Sequence, residues 1–160
     1  MPPGDADART PVNVLVTGGC GFIGSAFIRF LFRCPDFAGE VTNLDLCTYA
    51  GNPSNLEGAV DEARYFFAQG DISDQSLVSR LCDEHAVDTI VNFAAESHVD
   101  RSIHSPGVFI QTNVVGTFSL LEVVRSHPGI HLHHVSTDEV YGSLGAEGRF
   151  DEESCYRPNS

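Results

Sequence analysis

The sequence predicts an α/β fold of the Rossmann type, a doubly wound parallel sheet with helices on both faces in three layers. Three observations predict it. Short apolar runs rich in β-branched residues alternate with segments whose apolar residues recur with a helical period. A glycine-rich turn joins the first run to the first such segment. The length of 160 residues suits one domain with a sizeable core.

The strands are expected at 12–16, 41–46, 64–68, 89–94 and 131–136. The first reads Val-Asn-Val-Leu-Val, a nearly continuous apolar run typical of a strand buried on both faces of a parallel sheet. Polar loops are expected at 48–62, where a short helix interrupts the loop, and at 142–160. Because helical segments separate the strands, right-handed βαβ units are predicted.

The main helices are expected at 22–34, 74–85 and 106–127. The first should end near Cys34, because a residue that precedes proline avoids the helical region. Ser73 or Asp74 is a plausible cap for the second helix, and Pro106 opens the third at a position that proline favours. Residues 1–11 are expected to be a disordered lead, followed by one domain at 12–160.

The charge of the chain restricts its partners. It carries 9 Lys+Arg against 22 Asp+Glu, a formal net charge of −13, which disfavours nucleic acid and anionic membrane surfaces. No apolar run reaches the roughly 18 residues of a membrane span, and the N-terminus lacks a signal-peptide core. Five cysteines without a C-x-x-C spacing favour reduced thiols, so a cytoplasmic protein is expected.

All nine basic residues are arginine. The absence of lysine excludes a Schiff-base lysine and a P-loop lysine within these 160 residues. It also excludes the Tyr-x-x-x-Lys pair with which short-chain dehydrogenases handle protons.

A glycine-rich turn carries the main functional signal. The segment 17–24 reads Thr-Gly-Gly-Cys-Gly-Phe-Ile-Gly and lies between a strand and a helix, where the backbone can approach a pyrophosphate. Asp45 follows 21 residues after Gly24, at the end of the second strand, where a carboxylate accepts hydrogen bonds from ribose hydroxyls. It would repel a 2′-phosphate, which favours NAD over NADP. The alternative is a tight turn with a solvated aspartate.

Two further strand ends suit the same ligand. Asp71, after the third strand, can bond an adenine edge or merely cap the next helix. Phe93, Ala94 and Ala95 follow the fourth strand, where small residues let a cofactor approach or simply allow close helix packing. For each of the two strand ends, the residues alone are compatible with a binding role and with a structural one.

Six strings together resemble the dTDP-glucose 4,6-dehydratase family, nucleotide-sugar enzymes of the extended short-chain dehydrogenase group. The strings are TGGCGFIGS (17–25), LDLCTYAGN (44–52), GDISD (70–74), NFAAESHVDRSI (92–103), TNVVGT (112–117) and STDEVYG (136–142). The resemblance implies NAD as cofactor, a nucleotide-diphosphate sugar as substrate, and a homodimer in the full-length form. The implied NAD contacts are Gly18, Gly21, Phe22, Ile23, Gly24, Asp45, Leu46, Cys47, Thr48, Asp71, Ile72, Phe93, Ala94, Ala95, Ser97 and Thr112.

The resemblance also implies catalytic roles. Asp138 and Glu139 would be the acid and base of a water elimination, and Ser97 and Thr137 would contact the sugar. One carboxyl group must be protonated and the other ionised at the same pH, so their environments must separate their pKa values. Without the resemblance, an Asp-Glu pair after a strand is more often a solvated loop pair.

The sequence departs from the family pattern in two places. Leu46 stands where the family usually has lysine, and no tyrosine is followed four positions later by lysine. The C-terminal lobe that binds the sugar nucleotide is also absent, so the 160 residues are expected to be an inactive, NAD-binding front portion of the sheet fold. Alternatives are another extended nucleotide-sugar epimerase or dehydratase, or a non-catalytic NAD-binding module.

Three other features of the sequence are weaker candidates for functional sites. His131 and His133 share one face of a strand, but such pairs are more often surface residues, and no metal site is predicted. Cys20 is interpreted as a variable loop residue rather than a nucleophile. Arg101 is a candidate for the substrate diphosphate or for an ion pair in a polar cluster with His98 and Asp100.

Overall fold

A computed structural model describes residues 13–145 and 147–159 of the chain. Five strands form one parallel sheet: β1 (Asn13–Thr17), β2 (Glu40–Asp45), β3 (Tyr65–Gln69), β4 (Thr89–Asn92) and β5 (His131–His134). Their spatial order is β3-β2-β1-β4-β5, the order of a doubly wound sheet. The predicted Rossmann-type α/β class is confirmed, whereas the predicted lead at 1–11 lies outside the described residues.

The central strand β1 explains the three layers. Val14, Leu15 and Val16 are at most 1% exposed, and alternate side chains point to opposite faces of the sheet. Val14 and Val16 belong to one apolar cluster with Ile28, which lies on the first helix. Leu15 belongs to the cluster on the other face, together with buried residues from helices later in the chain. Strand β1 is therefore buried on both faces of the sheet, as its continuous apolar run predicts.

The helices are α1 (Phe22–Arg33), α2 (Gln75–Glu84), α3 (Val99–His104) and α4 (Pro106–Ser126), with 3₁₀ turns at Pro53–Leu56 and Asp138–Tyr141. Asp74 caps α2 by accepting a hydrogen bond from the backbone N–H of Leu77, which confirms one of the two predicted caps. The centre of α4, Ile110–Gly116, is a π-helix.

Two strand ends and one short helix differ from the expectation. The predicted strand at 89–94 ends at Asn92, and the predicted strand at 131–136 ends at His134. One further backbone hydrogen bond follows each strand, from the N–H of Phe93 to Thr17 and from the N–H of Val135 to Asn92, and regular pairing then ends. The six-residue helix α3 was not predicted, since it is too short to show a hydrophobic period.

Helix α4 has two different faces. Gly116, Ser119, Leu120 and Val123 are buried against the sheet and α2. The opposite side, here called the α4 outer face, consists of Ile110, Val114, Phe118 and Leu121, which are between 51% and 61% exposed. By length and composition alone α4 could cross a membrane. These two properties do not distinguish a membrane span from a helix that packs one face on a protein core.

Candidate functional site

A cleft opens at the carboxyl ends of β1 and β4. These two neighbours mark the point where the strand order reverses, which is where ligands bind in open α/β sheets. The residues that line the cleft are Gly18, Gly21, Leu44, Asp45, Leu46, Thr48, Ala50, Gly51, Asp71, Ile72, Phe93, Ala94, Ala95, Glu96 and Thr112. The fold thus brings most of the predicted cofactor residues together from four separate strand ends.

The floor of the cleft depends on glycine at position 18. Gly18 has a φ of +71°, and a Cβ there would lie 2.6 Å from the backbone nitrogen of Ala94. A side chain would therefore push the loop after β1 away from the loop after β4. Gly24 is also required, since a Cβ on it would collide with the carbonyl oxygen of Gly18. The glycines let a backbone, and hence a ligand, approach closely.

The N-terminus of α1 faces solvent beside this loop. Its cap residue, Gly21, offers no side chain to satisfy the first backbone N–H groups of the helix. Phe22 and Ile23 in the first turn are 87% and 61% exposed, so the turn is open. Free N–H groups together with the positive end of a helix dipole suit an anion such as a pyrophosphate.

Asp45 joins the glycine loop to the loop that follows β2. It is 7% exposed, and its carboxylate accepts backbone hydrogen bonds from Cys20 (2.8 Å) and Cys47 (2.7 Å). A carboxylate has about four lone-pair positions, so two hydroxyl groups can still donate to it. Leu46, which follows it, is 47% exposed and offers no cation to a 2′-phosphate.

Two thiols lie beside this carboxylate. Cys20 is fully buried, and its sulfur accepts a 3.4 Å hydrogen bond from Nδ2 of Asn43. Burial, reinforced by the charge of Asp45, raises the pKa of Cys20 to about 12. Cys47 is half-buried and has a positive φ of 55°. The position of Cys20 in the glycine loop is consistent with an inert thiol rather than a nucleophile.

After β3, Asp71 does not cap α2. Its Oδ1 accepts a 2.8 Å hydrogen bond from the backbone N–H of Ser73, and Asp74 performs the capping. Asp71 and the buried Ile72 both line the cleft. The helix-cap interpretation of Asp71 is therefore wrong.

On the opposite side, a set of contacts that the sequence did not reveal supports the cleft. Glu96 is 9% exposed and lines the cleft after Ala95, and the Tyr49 hydroxyl donates to its carboxylate at 3.3 Å. The guanidinium of Arg101 lies 3.8 Å from the centre of the Tyr49 ring. Arg101 thus packs on an aromatic face, an alternative to the expected diphosphate contact or ion pair. Its neighbours in the predicted polar cluster, His98 and Asp100, are exposed.

The proposed catalytic residues lie apart from the cleft lining. Thr137, Asp138 and Glu139 follow β5 and are all exposed. The hydroxyl of Thr137 accepts a 3.2 Å hydrogen bond from the backbone N–H of Glu139 and donates to Asp138 at 3.4 Å. They lie at the same carboxyl edge of the sheet as the cleft, because β5 runs parallel to β4.

Several predicted cofactor residues are likewise outside the lining, namely Phe22, Ile23, Gly24, Cys47 and Ser97. Conversely, Leu44, Ala50, Gly51 and Glu96 line the cleft but were not predicted. Their signal was present, because all four lie within the strings 44–52 and 92–103 that carry predicted residues. The one His/Cys/Asp/Glu cluster with metal-like spacing among the described residues is Cys20, Asp45 and Cys47, whereas His131 and His133 belong to no such cluster.

The sequence of this chain matches one protein family along most of its length. The model of the family described as GDP-mannose 4,6 dehydratase matches residues 15–160. A dTDP-glucose 4,6-dehydratase of Xanthomonas campestris pv. campestris is 51% identical over 155 residues, which cover 91% of this chain and 43% of the relative. A dTDP-glucose 4,6-dehydratase of Mycobacterium tuberculosis is 50% identical, covering 93% of this chain and 44% of the relative.

Solved structures are similar over the same region. The dTDP-glucose 4,6-dehydratase DesIV of Streptomyces venezuelae, with NAD bound, has a TM-score of 0.86 and 48% identity, covering 92% of this chain and 46% of that one. The UDP-glucose-4-epimerase of Stenotrophomonas maltophila, also with NAD, has a TM-score of 0.78 and 29% identity, covering 91% and 43%. The chain spans less than half the length of the relatives that it matches.

Proposed function

Because this chain belongs to the GDP-mannose 4,6 dehydratase family, we propose that it is the NAD-binding portion of a dTDP-glucose 4,6-dehydratase. The observation that carries the proposal is the cleft at the β1–β4 switch point, which gathers the glycine loop, Asp45, Asp71 and Phe93–Ala95. Relatives of that name at about half identity support the choice of reaction.

The donors and acceptors of the cleft fit NAD. The open N-terminal turn of α1 would hold the pyrophosphate, and Asp45 would accept the adenosine ribose hydroxyls. The negative charge of Asp45, with Leu46 beside it, disfavours the 2′-phosphate of NADP. Asp71 and Ile72 would meet the adenine, while Ala94, Ala95, Ser97 and Thr112 would border the nicotinamide.

In the proposed reaction, dTDP-glucose becomes dTDP-4-keto-6-deoxyglucose. When bound, NAD would supply the reversible hydride chemistry that this reaction needs at C4 and C6 of the sugar. Glu139 would remove the C5 proton, which the neighbouring ketone acidifies, and Asp138 would donate a proton to the departing C6 hydroxyl. Thr137 would orient the carboxyl group of Asp138, to which its hydroxyl donates, and the backbone of Glu139, from which the same hydroxyl accepts.

The proposal extends to the cellular location and the binding partners of the full-length protein. The full-length protein is proposed to be a cytoplasmic homodimer that acts on a nucleotide-diphosphate sugar and binds neither nucleic acid nor membranes. The α4 outer face supports the dimer, because an exposed apolar stripe of this kind usually packs against another protein surface. The net charge of −13 opposes association with phosphate-rich surfaces.

The proposal is tested by calorimetric titration of the 160-residue chain with NAD and NADP. We expect one NAD per chain and weaker binding of NADP, while incubation with dTDP-glucose and NAD yields no 4-keto-6-deoxy sugar. Turnover is not expected because these residues contain no Tyr-x-x-x-Lys pair. A chain that binds neither nucleotide at millimolar concentration would refute NAD binding, and product formation would refute the absence of turnover.

A further inference from the structure

Cys20, Asp45 and Cys47 form a compact cluster of metal-ligand atoms. Their two sulfurs and a carboxylate oxygen all lie within 4.8 Å of one another, and two of the three residues are buried. The three side chains come from two different elements, the glycine loop and the end of β2. Neither thiol takes part in the proposed dehydration, and the described cysteines are all free.

We propose that this cluster is a binding site for a thiophilic divalent cation, Zn²⁺ or Cd²⁺, which takes two cysteine sulfurs and one Asp45 oxygen as ligands. A fourth, tetrahedral position would be filled by water from the cleft, since zinc sites with three protein ligands keep an open position. Zinc–sulfur and zinc–oxygen bonds are about 2.3 Å and 2.0–2.2 Å long, which puts the ligand atoms of a tetrahedral site roughly 3.5–3.8 Å apart. The three atoms, now within 4.8 Å of one another, would therefore move closer together by up to roughly 1 Å on binding the cation.

The ligand chemistry selects the cation. Thiolates prefer Zn²⁺ and Cd²⁺ over Mg²⁺ and Ca²⁺, which require several oxygen ligands. Binding releases the thiol protons to solvent, because a coordinated thiol is deprotonated. No electron is transferred in this step, and the two new metal–sulfur bonds replace two S–H bonds.

The surroundings of the cluster support a cation. Nδ2 of Asn43 donates to the sulfur of Cys20, and the same nitrogen lies 2.8 Å from the Tyr65 hydroxyl. An N–H···S bond of this kind orients a thiolate ligand from the outer shell. Cys47 is only half-buried, so solvent reaches the cluster on its side. The net charge of −13 raises the local concentration of divalent cations.

A consequence rests on the proposed function. The cation would occupy the carboxylate that is proposed to hold the adenosine ribose, so metal and NAD would exclude one another. The cluster would then act as a metal-sensitive block of the cofactor site. Binding of the metal by itself does not depend on NAD.

The test uses the reduced 160-residue chain, stripped of metal, with Cd²⁺ as probe. We expect one Cd²⁺ per chain and the ultraviolet charge-transfer band of cadmium bound to thiolate. Cys20→Ala and Cys47→Ala should each remove the band and weaken binding by at least about 100-fold, since even outer-shell losses cost about 10- to 100-fold. The matched controls Cys34→Ala and Cys155→Ala should bind like the unchanged chain.

Two results would overturn the site: no thiolate band with the unchanged chain, or an undiminished band in the half-buried variant Cys47→Ala. Circular dichroism checks that each variant is folded. If Cys20→Ala does not fold, the result for Cys47→Ala decides the test.

The NAD titration is then repeated at saturating Cd²⁺. For each chain, NAD affinity with Cd²⁺ is compared with that chain's own metal-free value. A fall on adding Cd²⁺ in the unchanged chain but not in Cys47→Ala supports mutual exclusion, whereas simultaneous binding of Cd²⁺ and NAD refutes it. Failure to bind NAD without any metal would contradict only the proposed function.

Discussion

Asn113 holds the backbone of Glu96 through both atoms of its side-chain amide. Its Oδ1 accepts from the N–H of Glu96 at 2.9 Å, and its Nδ2 donates to the carbonyl oxygen at 2.8 Å. One residue of α4 therefore fixes the loop that follows β4, where Ala94, Ala95 and Glu96 line the cleft.

Asn113→Ala should loosen this loop. Removing both hydrogen bonds leaves two backbone groups of Glu96 without their partner, which costs about 1–3 kcal/mol of unfolding free energy. NAD affinity should also fall, by roughly 10-fold, because the loop is no longer preorganised. Urea unfolding and calorimetry measure the two effects. Gln111→Ala, an exposed change on the same helix, is the control, and equal effects of both variants would contradict the role of Asn113.

Gly18→Ala separates steric collision from backbone strain. Gly58 has nearly the same φ, +64° against +71°, but a Cβ there would meet nothing within 4 Å. Gly58→Ala should therefore cost only the strain of a positive φ, about 1–2 kcal/mol. Gly18→Ala should cost about 1–3 kcal/mol more because its Cβ meets Ala94. Equal unfolding midpoints of the two variants would show that the collision at position 18 relaxes freely.

Asp45→Asn tests the ribose site. The amide presents an NH₂ group where a carboxylate oxygen now accepts from the backbone of Cys20 or Cys47. We expect NAD affinity to fall at least about 10-fold and the preference for NAD over NADP to shrink, because the repelling charge is gone. Asp36→Asn, on an exposed loop, is the matched control in the same titration. An unchanged NAD/NADP ratio would place the ribose elsewhere.

The cysteines should differ in their rates of alkylation. Burial raises the pKa of Cys20 and of Cys82 to about 12, so at pH 8 roughly one thiol in ten thousand is ionised at either site. Cys155 is exposed and should react first with iodoacetamide, as measured by mass spectrometry of labelled peptides. Since the thiolate is the reactive form, raising the pH below 12 should accelerate labelling of the two buried thiols about tenfold per unit. Labelling of Cys20 as fast as Cys155 would be incompatible with its burial.

Phe118→Glu tests the α4 outer face as the dimer contact. If two copies pair through this face, the charge should dissociate them, because an unpaired carboxylate cannot be buried without a large penalty. Phe30→Glu is a closely matched control, since Phe30 on α1 is 62% exposed and Phe118 is 61% exposed. Sedimentation equilibrium should show a monomer only for Phe118→Glu. Identical molar masses for both variants would rule out this face.

The order of elements could be derived from the sequence because it depends on local patterns. The apolar run of β1, the helical period from Phe22 and the glycine loop between them are short-range features, and the structure has each in its expected place. Strand ends were less accurate, as at Asn92 and His134, since pairing stops where the neighbouring strand stops and no local residue records that point.

The fold class and most of the cleft lining could be predicted from the sequence, because residues that follow parallel strands must meet at one edge of the sheet. The pairing of side chains that are distant in the chain could be seen only in the folded molecule. Three contacts join residues from different elements. They are the hydrogen bonds of Asn113 to Glu96, the packing of Arg101 on Tyr49, and the proximity of Cys20 to Cys47. Such contacts depend on helix rotation and loop paths, which follow from packing of the whole core.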